Sequence, residues 1–113
     1  MLSTKKMRWN SAIMNSNQNS GRKSAYRINV TGRVQGVGFR YSAQQRASRL
    51  RLTGWVRNEY DGSVEIYCEG AADAVEAFLG WLEGGGPSCA RIINIQKTMM
   101  PVLGTFSRFS VDY

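Results

Sequence analysis

Residues 26–50 read YRINVTGRVQGVGFRYSAQQRASRL, and two periodicities meet in them. Tyr26, Ile28 and Val30 alternate with Arg27, Asn29 and Thr31, the two-residue repeat of a strand with one wet face. Phe39, Ala43, Ala47 and Leu50 then recur at helical spacing, while Gln44, Gln45, Arg46 and Arg49 lie off that stripe. Between them stands Gly32-Arg33-Val34-Gln35-Gly36-Val37-Gly38, too rich in glycine to continue either element. The stretch therefore predicts a strand passed through a glycine loop into a helix.

Working outward toward the C-terminus, residues 53–59 read as a second strand, and Asp61-Gly62 is a strong hairpin signal. Val64, Ile66 and Cys68 alternate with Glu65, Tyr67 and Glu69 in a third strand. Ala71–Glu83 forms a second helix with Val75, Phe78, Leu79 and Leu82 on one face, ended by Gly84-Gly85-Gly86-Pro87. A fourth strand is expected over Arg91–Thr98, with Ile93 and Ile95 facing one way. Phe106–Tyr113 closes the chain, with Phe109, Val111 and Tyr113 on one face of a short strand. Strand-helix-strand-strand-helix-strand is the order of a ferredoxin-like split βαβ sandwich. That α+β class packs two helices on one face of an antiparallel sheet.

Outward in the other direction, the pattern dissolves. Residues 1–24 are rich in Ser, Asn and Lys, with Asn15-Ser16-Asn17-Gln18-Asn19-Ser20-Gly21 at their centre. They are expected to form a disordered basic leader to one domain, residues 25–113. Most of the net charge of +7 belongs to that leader. Lys5, Lys6, Arg8, Arg22 and Lys23 stand there without an acidic residue, whereas the domain holds ten Lys or Arg against eight Asp or Glu. A domain so nearly balanced lacks the basic face of a nucleic-acid binder. The 113 residues of the whole chain contain no His, which excludes imidazole general bases, Ser-His-Asp triads and imidazole-ligated metals. Cys68 and Cys89 alone cannot hold zinc, so no metal site is expected. No apolar run approaches the ~18 residues of a membrane span. A monomeric, cytoplasmic protein that does not engage membranes is the expectation.

The loop carries the chemistry. Gly36 and Gly38 permit positive φ and leave backbone amides unshielded, and the helix beginning near Phe39 adds unpaired N–H groups. Arg40 brings a guanidinium to the same place, with a fork that matches phosphate or carboxylate oxygens. Together these make an anion cradle. It is not a Walker loop, because no Gly-Lys-Ser/Thr closes it, and Tyr41 stands where a dinucleotide fingerprint has its third Gly. Gly36-Val37-Gly38-Phe39-Arg40-Tyr41 echoes an RNA-recognition motif, but it follows the first strand, and Val37 occupies a stacking position. In a split βαβ fold the first two strands run parallel with one strand between them, so their C-terminal ends share an edge. The end of the second strand then lies within reach of a phosphate on the cradle, across two strand spacings of ~10 Å.

Gly32-Arg33-Val34-Gln35-Gly36-Val37-Gly38-Phe39-Arg40 resembles the first signature of the acylphosphatase family. Gly54-Trp55-Val56-Arg57-Asn58-Glu59-Tyr60-Asp61-Gly62-Ser63-Val64, followed by Gly70, is similar to that family's second signature. The resemblance spans residues 25–113 and none of the leader. It implies a ferredoxin-like fold, no cofactor, and hydrolysis of the carboxyl–phosphate bond of acyl phosphates, with inorganic phosphate as product and inhibitor. By the same resemblance, Arg40 matches the phosphate-binding arginine and Asn58 the water-orienting asparagine. The cradle amides run through Gln35, Gly36, Val37, Gly38, Phe39 and Arg40. One departure is Arg51, where the family often has Gly; a left-handed cap there would cost Arg roughly 1 kcal/mol. The alternatives are a non-catalytic anion- or RNA-binding module and a regulatory domain detached from a larger enzyme. A binding module needs Arg40 but has no use for Asn58.

Overall fold

The computed structural model describes residues 21–113, so the expectations for residues 1–20 of the leader lie outside it. The elements are β1 (Lys23–Arg33), α1 (Phe39–Arg49), β2 (Thr53–Asn58), β3 (Val64–Ala71), α2 (Ala72–Glu83), β4 (Arg91–Met100) and β5 (Phe109–Asp112). They build a five-stranded sheet in the order β4-β1-β3-β2-β5, with both helices on one face. β3 lies antiparallel between β1 and β2, which makes those two parallel, as the split βαβ order requires. β5 joins the far side of β2 in parallel and makes the sheet mixed. The C-terminal ends of β1, β2 and β5 therefore open on one edge.

The core follows from the two periods. Ile28 and Val30 of β1, Val56 of β2, and Val64, Ile66 and Cys68 of β3 meet Phe39, Ala43 and Ala47 of α1. Val75, Phe78, Leu79 and Leu82 of α2 complete the layer with Phe109 of β5. Phe39 and Phe78 are the largest side chains wholly inside; burying one such aromatic is worth about 3 kcal/mol. No helix among the described residues is long and apolar enough to cross a membrane.

Three sequence expectations need correcting. The leader was expected to run to residue 24, but Lys23 and Ser24 are the first residues of β1, paired with Ala71 and Gly70. Ile93 was expected to face inward with Ile95, but it is 76% exposed. Opposite β1, Thr31 pairs with Asn94 and Gly32 pairs with Ile92, so Ile93 is the extra residue of a β-bulge. The bulge reverses the alternation, and Ile92 and Ile95 are the pair that packs on the core. Gly32 has φ 132°, and a Cβ there would run into the Arg91 carbonyl oxygen. Tyr113 was expected to share the face of Phe109 and Val111, but it lies beyond β5 and is 97% exposed.

The helix ends explain themselves. α1 closes in a Schellman motif: Arg51, at φ 60°, donates its N–H to Ser48 O (3.0 Å), and Leu52 N–H donates to Ala47 O (2.9 Å). Arg51 is the one non-glycine residue with positive φ among the described residues, at the position where Gly is usual. On the sheet face away from the helices, the segment 101–108 crosses between β4 and β5. Buried Glu69 anchors it, accepting the Tyr67 hydroxyl (2.7 Å) and the N–H groups of Leu103 (3.0 Å) and Gly104 (2.8 Å). Phe106 lies against the Tyr67 ring, 5.4 Å between centroids. Burial pushes the Glu69 carboxyl up, but these hydrogen bonds outweigh it and hold it below its ordinary value. Burial and the Glu69 charge raise the Tyr67 hydroxyl to about 12.

Candidate active site

The cradle forms where β1 runs into α1. Gly36 (φ 74°) and Gly38 (φ 80°) both turn left-handed with nothing near where a Cβ would stand, so the backbone itself faces outward. Gly38 caps α1 without any side-chain hydrogen bond, and no acidic residue stands in the helix's first turn. The first-turn amides are thus left without a side-chain acceptor, at the positive end of the helix. Gly36, Gly38, Phe39 and Arg40 line a cleft of about 500 Å³ together with Asn58 from the end of β2. Arg108, Ser110, Val111 and Tyr113 supply its wall from the β5 side. Val37 is turned instead against the core.

Gln35 acts in the loop through its side chain. Its Nε2 donates to the carbonyls of both Glu59 and Ser63, each at 2.8 Å, and so ties the cradle to the hairpin that follows Asn58. That hairpin is itself braced. Asp61 Oδ1 accepts Ser63 N–H (2.9 Å) and the Ser63 hydroxyl (2.6 Å), and Asn29 Nδ2 of β1 donates to Ser63 Oγ (3.0 Å). The Ser63 bonds hold the Asp61 carboxyl below its ordinary range. Gln35 and Asn58 also line a second depression of about 520 Å³ with Arg57, Glu59, Tyr60 and Tyr113. Asn58 therefore stands on the ridge between two hollows, exposed, with no side-chain partner among the described residues.

Arg40 is held from the far end of the chain. Its Nη1 donates to the Asp112 carbonyl (3.0 Å), and its guanidinium lies 4.7 Å from the centre of the Tyr113 ring. One of five N–H groups is spent on Asp112, which leaves the rest of the fork for an anion. The acids nearby are occupied: Glu59 Oε2 pairs with Arg57 Nε at 2.8 Å, a bond that raises the Arg57 guanidinium further, and Asp61 serves the turn. Among the described residues no Asp or Glu lines the cradle's cleft. Cys68 lies in the core, where burial raises its thiol to about 12, and Cys89 is exposed away from the site. Among the described residues no group of three or more His, Cys, Asp or Glu could hold a metal ion.

The Gln35 side-chain tie and the hold of Asp112 and Tyr113 on Arg40 escaped sequence reasoning. A lone amide side chain among Gly and Val in the loop was the signal for the first. The second depends on the parallel docking of β5, which no local pattern encodes.

These features define a class of small ferredoxin-like proteins with an anion cradle between the first strand and the first helix. The sequence model of the acylphosphatase family matches residues 26–111. An acylphosphatase of Methylococcus capsulatus is 50% identical over 82 residues, which cover 73% of this chain and 88% of that protein. The crystal structure of acylphosphatase from Bacillus subtilis superposes with a TM-score of 0.73 at 43% identity, over 80% of this chain and 99% of that one. The structure of an acylphosphatase from Coxiella burnetii gives a TM-score of 0.74 at 35% identity, over 84% and 98%. The chain belongs to the acylphosphatase family.

Proposed function

We propose that this chain hydrolyses acyl phosphates to a carboxylate and inorganic phosphate, with the phosphoryl group seated on the 35–40 loop and Arg40. Asn58 holds the attacking water. The observation that carries this reading is the convergence of Gly36, Gly38, Arg40 and Asn58 on one cleft. The amides and guanidinium neutralise the equatorial oxygens, and the Asn58 amide aims a water at phosphorus from the side opposite the bridging oxygen. The new P–O bond forms as the bridging P–O bond breaks, and the water's proton passes to a phosphate oxygen. With Glu59 and Asp61 engaged elsewhere, the substrate phosphate serves as its own proton acceptor.

The leaving group explains how so little machinery suffices. A carboxylate leaves as the conjugate base of an acid with pKa about 4, so it needs no proton donor. A phenolate, with pKa about 10, does need one. The test is release of phosphate from acetyl phosphate, with phenyl phosphate as control and EDTA present. Turnover of acetyl phosphate alone, inhibited competitively by inorganic phosphate, supports the reading. Turnover of neither compound, or activity that vanishes in EDTA and returns with a divalent ion, overturns it.

The same reading divides the chain into a leader and a catalytic domain, with the boundary moved from the expected residue 25 back to Lys23, where β1 begins. It also takes the protein as a cytoplasmic monomer. The two free cysteines suit a reducing compartment.

A further inference from the structure

The cleft is longer than a phosphate needs. β5 forms one side of it, with Tyr113 beyond its C-terminal end beside Asn58, and Arg108 just before its first residue. Arg108 and Asp112 stand four positions apart, about 13 Å of strand. On the opposite wall, Gln44 lies one turn of α1, about 6 Å, past Arg40. Gln44 Nε2 donates to Phe109 O (3.3 Å), next to Arg108. The cleft therefore runs from the cradle down the groove between α1 and β5.

In-line attack gives that groove a direction. If the water sits at Asn58, the acyl group must leave on the other side of phosphorus, toward Gln44 and Arg108. Arg108 has no carboxylate partner among the described residues, and no acid lines the cleft. The carboxylate of Asp112, the acid closest in sequence, acts on Arg57 of the neighbouring strand.

Resting on the hydrolase reading above, we propose that Arg108 forms a second anion subsite. The cleft then selects acyl phosphates whose acyl chain, a few carbons long, ends in another negative group. Arg108 lines the same cleft as Gly36, Gly38 and Arg40, so a short acyl chain lying in that cleft can meet both it and the cradle. A carboxylate or phosphate at the distal end would meet the guanidinium fork.

The experiment compares kcat/KM for succinyl phosphate, which ends in a carboxylate, with butyryl phosphate, its neutral match in length. The full chain should favour succinyl phosphate about tenfold, the size of one charge-assisted hydrogen bond at a partly wet site. Arg108→Gln should bring the ratio near one and Arg108→Glu below one. Raising ionic strength should shrink the ratio in the parent alone. Because each ratio is taken within one protein, loss of folded enzyme cancels, and the glutamine variant suffices if the glutamate variant does not fold. A parent ratio near one, or a ratio unchanged in both variants, overturns the subsite while leaving the hydrolase reading intact. Turnover of neither substrate overturns both.

Discussion

Truncating Asn58 to alanine removes a side-chain amide that has no partner among the described residues, so little stability should go with it. A turn residue would behave differently, with a loss of roughly 1 kcal/mol and kcat nearly intact. As the water's holder, Asn58→Ala should instead keep a near-normal Ki for phosphate and lose two to four orders of magnitude in kcat, on the scale of a lost positioning contact. Arg40→Lys should raise KM as well as lower kcat, since an ammonium cannot reproduce the fork and gives up the stacking on Tyr113. A folded Asn58→Ala enzyme within a few-fold of the parent would remove Asn58 from the mechanism. Arg51 offers a test of stability alone. At φ 60° in the Schellman position it holds a conformation that Gly adopts freely. Arg51→Gly should therefore gain about 0.5–1 kcal/mol, read as a Tm higher by a few degrees, with kinetics unchanged.

Between elements, the connections decide more than the strands themselves. Glu69 ties segment 101–108 to the sheet through two hydrogen bonds, from Leu103 and Gly104, and with it sets where β5 begins. Its carboxyl titrates below the ordinary glutamate range in the folded chain, so the unfolded chain binds the proton more readily. Stability from this group is then complete above the unfolded value of about 4.3 and is lost as pH falls through the folded one. Glu69→Gln should cost about 1–3 kcal/mol at pH 7 and flatten the acid side of the stability curve, measured by urea melts from pH 7 to 3. An unaltered acid slope in the variant would contradict that role. Such connections also mark what the amino-acid pattern reveals. The cradle, the helix faces and the hairpin at Asp61-Gly62 are local, and their residues announce them. The bulge at Gly32 is not local, because it exists only in the pairing of Thr31 with Asn94 and Gly32 with Ile92. Strict alternation accordingly assigned Ile93 to the wrong face. Gln35 was legible as a loop residue, but its acceptors lie 24 and 28 residues away.

For the molecule as a whole, the boundary between leader and domain can be read from truncation. A chain starting at Gly21 should keep parental turnover of acetyl phosphate. One starting at Ala25 loses the pairing of Lys23 with Ala71 and of Ser24 with Gly70, and the Arg22 carbonyl that accepts Ala72 N–H (3.0 Å). Its Tm should fall by several degrees; equal melts for the two chains would show that residues 21–24 contribute nothing. The bond from Arg40 to Asp112 spans 72 residues and joins the second element of the domain to its last. Contacts of such sequence separation close late in folding, after local helices and the β2–β3 hairpin have formed. A chain still emerging from the ribosome would possess the cradle but not the carbonyl that steadies its arginine. Recovered activity in refolding should thus trail recovered helicity, and turnover would report on completed molecules only.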